Sequence, residues 1–90
     1  MKINSDFLRR VICHFGEASQ LRMLSEECSE LSAAVNRFFR SRHDTTPLVE
    51  EVADVTIMIA QARLILGEQE VDEAVARKLT RLKERVLEMW

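Results

Sequence analysis

SEECSEL at residues 25–31 and EEVAD at residues 50–54 decide how this chain reads. Each stretch places acids three residues apart inside an apolar pattern of helical period. On a helix, positions i, i+3 and i+4 share one face. Glu27 with Glu30, and Glu51 with Asp54, therefore form two stacked pairs, each one turn tall. Like charges at this spacing repel, and a carboxylate beside a core needs a compensating partner. A divalent cation shared between two helices supplies that partner. Hard oxygen donors favour Mg²⁺, with Mn²⁺ as a substitute, over zinc.

The apolar positions around the acids predict four helices. Asn4 or Ser5 caps a short first helix with Asp6 in its first turn, and Gly16 ends it. Its apolar stripe is Phe7, Leu8, Val11, Ile12 and Phe15. Leu21, Leu24, Cys28, Leu31, Val35 and Phe38 then alternate spacings of three and four, which predicts a helix from about Ala18 to Arg40 with a seam suited to bundle packing. At about 100° per residue, Glu27 falls on the edge of this seam, Glu30 further round and Glu26 outside both. Thr46 as N-cap with Pro47 at the first helical position predicts a third helix to Leu66. After Asp54 it reads VTIMIAQARLIL, apolar almost all round, so it is expected to be buried on every side and to meet a second subunit. Gly67 ends it, Asp72 and Glu73 open the last helix, and Val71, Val75, Leu79, Leu82, Val86 and Met89 form its seam. The polar connector SRHDTT at residues 41–46, with Arg40, Arg42 and His43, reads either as a solvated link or as a cationic rim.

Ninety residues make one small domain, 1–90, and a chain this short buries only about 60–65% of its unfolded surface. At 47% apolar, with two glycines and one proline, it carries more apolar surface than one small bundle hides. The expected fold is all-α: a four-helix bundle-like domain assembled as a homodimer or homotetramer. A net charge of −2 gives no general attraction to a nucleic-acid polymer or an anionic membrane. Cys13 and Cys28 form no ligand cluster and read as small apolar side chains in a reducing compartment. With no apolar run long enough for a signal peptide or a span, a cytoplasmic location is expected.

Four inward carboxylates from two helices are enough to hold one or two Mg²⁺ ions, and Mg²⁺ bridges phosphate oxygens. Glu26 or Glu50, one residue before each inner pair, is the candidate general base for a water. Arg77, Lys78, Arg81, Lys83 and Arg85 crowd the polar side of the last helix, either as a solvated face or as cations for a polyphosphate, with Lys78 or Arg81 foremost. A di-iron centre needs Glu-x-x-His on two helices, and neither His14 nor His43 follows a glutamate at that spacing.

The run Phe15-Gly16-Glu17, Gln20-Leu21, Glu26-Glu27-Cys28-Ser29-Glu30-Leu31, then Glu50-Glu51-Val52-Ala53-Asp54-Val55, resembles the MazG-like branch of the all-α nucleoside triphosphate pyrophosphohydrolases. That family's signature is Glu-x-x-Glu, a gap, then Glu-x-x-Asp, and the resemblance covers residues 7 to 85. It implies Mg²⁺-dependent cleavage of a (d)NTP between the α and β phosphates, giving the monophosphate and pyrophosphate, in the service of nucleotide-pool cleansing. It also implies Glu27, Glu30, Glu51 and Asp54 as metal ligands and an active unit that is at least a dimer; Gln20, Lys78 and Arg81 are the expected substrate-binding residues. Two positions depart from the family: Leu48 stands where many members have a lysine, and Leu82 where many have an asparagine.

Two other readings remain open. Phosphoribosyl-ATP pyrophosphohydrolases carry similar paired acids, but usually an aromatic-His pair soon after the aspartate, where this chain reads VTIM at 55–58. A non-catalytic helical dimer that binds nucleotide or protein is the reading from a different class.

Overall fold

The computed structural model describes residues 2–40 and 44–89, and every regular element among them is a helix. The helices are α1 (Ser5–Phe15), α2 (Glu17–Arg40), α3 (Thr46–Leu66) and α4 (Glu68–Met89). Asn4 caps α1, its side-chain oxygen accepting the Phe7 N–H at 3.0 Å. Gly16 and Gly67 each end one helix and begin the next. Gly16 donates to the Ile12 carbonyl at 2.7 Å and accepts from the Gln20 N–H at 3.0 Å; Gly67 donates to Arg63 at 2.9 Å and accepts from Val71 at 3.1 Å. Their φ values of +95° and +110° suit glycine alone.

Because Gly67 has both roles, α4 begins at Glu68, and Asp72 and Glu73 lie a turn inside it rather than opening it. The start of α3 also differs from the expected Thr46 cap. Thr46 is already helical, Thr45 precedes it without a side-chain cap, and Asp44 accepts the Thr46 N–H at 2.9 Å. That bond holds the Asp44 carboxyl below its ordinary value. Ser41, Arg42, His43 and Trp90 lie outside the described residues.

α2 and α3 form the main packed pair, α1 rests against both, and among the described residues α4 packs against α3 alone. Glu27 lies beside Asp54, and Ala34 shares a cavity with Pro47, so the two helices run antiparallel. Leu8, Ala34, Val55, Met58 and Ala62 are the buried apolar residues.

The inward stripe of α2 is rotated from the expected seam. Gln20 and Ala34 are buried, Leu21, Leu24, Glu27, Leu31, Val35 and Phe38 are half-buried, and of the expected seam Cys28 alone is exposed. Glu27 therefore sits within the packed stripe, between Leu24 and Leu31, rather than on its edge. α3 is buried on one side only, along Val55, Met58, Gln61 and Ala62, while Val49, Val52, Ile57, Ile59 and Leu66 stand open. One chain simply lacks the helices to cover the other side.

The same shortage shows in the overall shape. The radius of gyration is 16.0 Å, against about 12 Å for a compact chain of this length. α4 leaves Val75, Leu79, Leu82, Val86 and Leu87 exposed. Arg63 of α3 holds Asp72 of α4 at 2.6 Å across the Gly67 turn. No helix among the described residues is long and apolar enough to cross a membrane.

Candidate metal centre

Glu27 comes from the middle of α2, and Glu51 and Asp54 from the first two turns of α3. One carboxylate oxygen from each lies within 4.8 Å of the other two. Around an octahedral Mg²⁺ with bonds of about 2.1 Å, neighbouring oxygens stand about 3.0 Å apart and opposed ones about 4.2 Å, so the three carboxylates must draw closer together to share one ion.

The electrostatics are those of an under-compensated cluster. Partial burial pushes the Glu27 carboxyl above its ordinary value, and the charges of Glu30, Asp54 and Glu51 push it the same way. Glu51 is raised first by burial and then by Glu30 and Asp54, while Arg37 pulls it back. The Oε2 atoms of both Glu27 and Glu51 are buried and accept no hydrogen bond. Buried carboxylate oxygens without a donor are costly, and a cation is the partner that satisfies several at once. The donor set therefore fits a hard divalent ion.

Three of the four expected ligands, Glu27, Glu51 and Asp54, fall together, the first two half-buried and Asp54 exposed at the rim, and Glu30 is exposed beside them. Glu30 joins through its proximity to both glutamates. Glu26 and Glu50 are exposed and lie about 100° round their helices from Glu27 and Glu51, outside the cluster.

Gln20 is buried two turns from Glu27 on the same face of α2. The antiparallel register sets Gln61 of α3 at Gln20's level, and Gln61 is also buried, with Oε1 unpartnered and Nε2 donating to Met58 Sδ at 3.6 Å. Lys78 and Arg81 line a separate surface hollow with Leu82 and Arg85 on α4. α4 does not touch α2, so within one chain these cations stand apart from the acids.

Two residues at or near the site escaped the sequence reading. Arg37 lies one heptad beyond Glu30, and its charge acts on Glu51. That spacing is visible in the sequence. Gln61 lies one heptad beyond Asp54, and its burial shows only once the helices are paired. No protein-family model matches the chain, and neither does any curated protein or solved structure.

Proposed function

We propose that this chain is a MazG-like, Mg²⁺-dependent nucleoside triphosphate pyrophosphohydrolase that converts a (d)NTP and water to the (d)NMP and pyrophosphate. The observation that carries the reading is the convergence of Glu27, Glu51 and Asp54, with two buried carboxylate oxygens that accept no hydrogen bond. Glu27, Glu30, Glu51 and Asp54 would hold the ion, which would supply charge neutralisation for the phosphates and a polarised water.

The protein's own groups divide the remaining work. Glu27 and Glu51, seated in the helix interface, fix the cluster, while Glu30 and Asp54 at the rim face the substrate side. Glu26 and Glu50, the candidate bases, stand solvent-facing outside the cluster, so either would take the proton of the attacking water only through a relaying water.

The working unit is a homodimer or a larger even assembly. Its support is the open α4 seam, with Leu79 at 53% and Leu82 at 50% exposure, together with the uncovered outer face of α3. Lys78 and Arg81 reach a polyphosphate at the acids only if the α4 that carries them comes from a second copy.

The test is product analysis across a panel of NTPs and dNTPs, with Mg²⁺ and with EDTA. Metal-dependent release of pyrophosphate and monophosphate, with one nucleotide preferred, supports the reading and names the substrate. Orthophosphate as the first product, or turnover that EDTA leaves unchanged, contradicts it. A chain that neither binds Mg²⁺ nor turns over any nucleotide is better described as a helical interaction module.

A further inference from the structure

The acids leave a charge problem that the metal alone does not solve. A triphosphate carries about four negative charges near neutral pH, and the site itself holds four carboxylates. One or two divalent ions leave the bound complex short of positive charge. Within one chain, α4 and its cations are out of reach of α2.

Arg37 is differently placed. It lies seven residues after Glu30 on the same face of α2, about 10.5 Å along the helix, a gap that its side chain spans only in part and that a phosphate group held at the acids would bridge, and its charge acts on Glu51. It is exposed and makes no ion pair among the described residues. It also borders a cavity of about 180 Å³ at the open end of the α2–α3 pair, walled by Ala34, Phe38, Pro47 and Leu48.

Asp44 lies at the same cavity, but its carboxylate is engaged by the Thr46 N–H at 2.9 Å, where it caps α3. Arg37 is thus an uncommitted cation between a carboxylate cluster and an adjoining, mostly apolar hollow.

We infer that Arg37 is a phosphate-binding residue, its guanidinium taking the substrate's polyphosphate chain where the chain passes from the carboxylate cluster toward this cavity. The planar fork of arginine suits two phosphate oxygens at once. The negative field of Glu51 and its neighbours attracts the guanidinium, and with the acids holding an ion it would be free to turn to the phosphate. The inference rests on the pyrophosphohydrolase reading.

The experiment is calorimetric titration of Mg²⁺ alone, and of inorganic pyrophosphate in saturating Mg²⁺, into the wild type, Arg37→Gln and Arg37→Lys. Steady-state turnover of the preferred NTP is measured on the same proteins. The expected result is a loss of about tenfold or more in pyrophosphate affinity for Arg37→Gln. Arg37→Lys falls in between, because it keeps the charge and loses the fork. Mg²⁺ binding without phosphate is equal or tighter in Arg37→Gln, and KM for the NTP rises in step with the lost affinity.

Arg37→Gln that binds pyrophosphate and NTP as the wild type does overturns the role of Arg37, and leaves the enzyme reading intact if the wild type still cleaves NTP. Weakened Mg²⁺ binding in Arg37→Gln also overturns it, by showing that Arg37 supports the cluster rather than the phosphate. A wild type that takes up neither Mg²⁺ nor pyrophosphate overturns both readings through a different arm of the experiment.

Discussion

Glu27 in α2 and Asp54 in α3 bring carboxylate oxygens within 4.8 Å of each other across the antiparallel helix pair, with Glu51 completing the triangle. Like charges gathered at a helix interface repel, and a bound cation is a partner that would join them. The predictions below follow from that relationship and from the packing around it.

Neutral isosteres separate charge from shape. Glu30→Gln and Asp54→Asn each remove one like-charge contact, so in EDTA both variants melt at or above the wild-type temperature, by about 1–4 °C. In Mg²⁺ the order reverses, since the wild type gains stability from the ion and the variants gain little. Turnover in both falls by about a hundredfold or more, the scale expected when a metal ligand is lost. Melting curves in the two buffers and pyrophosphate release check the three statements together.

The metal-free protein should lose stability as pH rises. Glu27 and Glu51 have raised carboxyl values in the folded chain, so the folded state holds protons more tightly than the unfolded state does. Their stabilising contribution is complete below the ordinary value of 4.5 and disappears as pH climbs through the raised folded values. Asp44 has the opposite sign, its contribution being present above 3.8 and lost as pH falls through its lowered folded value, so it does not interfere on the neutral side. Thermal melts between about pH 5 and pH 8 in EDTA should show the fall, and saturating Mg²⁺ should flatten it. A curve that rises with pH in EDTA contradicts the burial of those two carboxyls.

Much of this architecture is legible in the sequence, and the misreadings have physical causes. Asn4, Gly16 and Gly67 mark helix ends because side-chain capping and positive φ are local properties. The acids could be paired because their spacing is local too. The phase of the α2 seam was harder, since its packed stripe includes Gln20 and Glu27, and polar residues at inward positions hide the repeat. α3 reads as buried all round because its residues are apolar on nearly every face, and apolar composition alone does not say that a face is covered. Arg37 was passed over because an arginine late in a helix ordinarily belongs to a solvated face, and only the position of Glu51 on the neighbouring helix distinguishes it.

Gly16 and Gly67 are single-residue junctions between helices, each at a φ that a side chain opposes. Alanine at either position should cost about 1–3 kcal/mol, read as a lowered melting temperature with helix content unchanged. A Cβ at Gly67 also meets the carboxylate of Glu70, which can swing away, whereas nothing lies near one at Gly16. The two substitutions should therefore cost about the same, and a far larger loss at Gly67 would mean that Glu70 is held in place.

Leu82 sits in the middle of the open α4 seam with Leu79 and Val86 on either side. If that seam is covered by a second copy, Leu82→Asp raises the dissociation constant about ten- to a hundredfold, seen as a shift toward monomer in sedimentation velocity. A wild type that remains monomeric at high concentration contradicts the proposed assembly.

The central claim is that Glu27, Glu30, Glu51 and Asp54 hold a divalent cation, and Mg²⁺ titration of EDTA-stripped protein by calorimetry tests it most directly. The account predicts saturable binding in the wild type, abolished by Glu51→Gln and Asp54→Asn while circular dichroism shows the helices intact. Wild-type protein with no saturable uptake, or a Glu51→Gln variant that binds Mg²⁺ equally well, would contradict it.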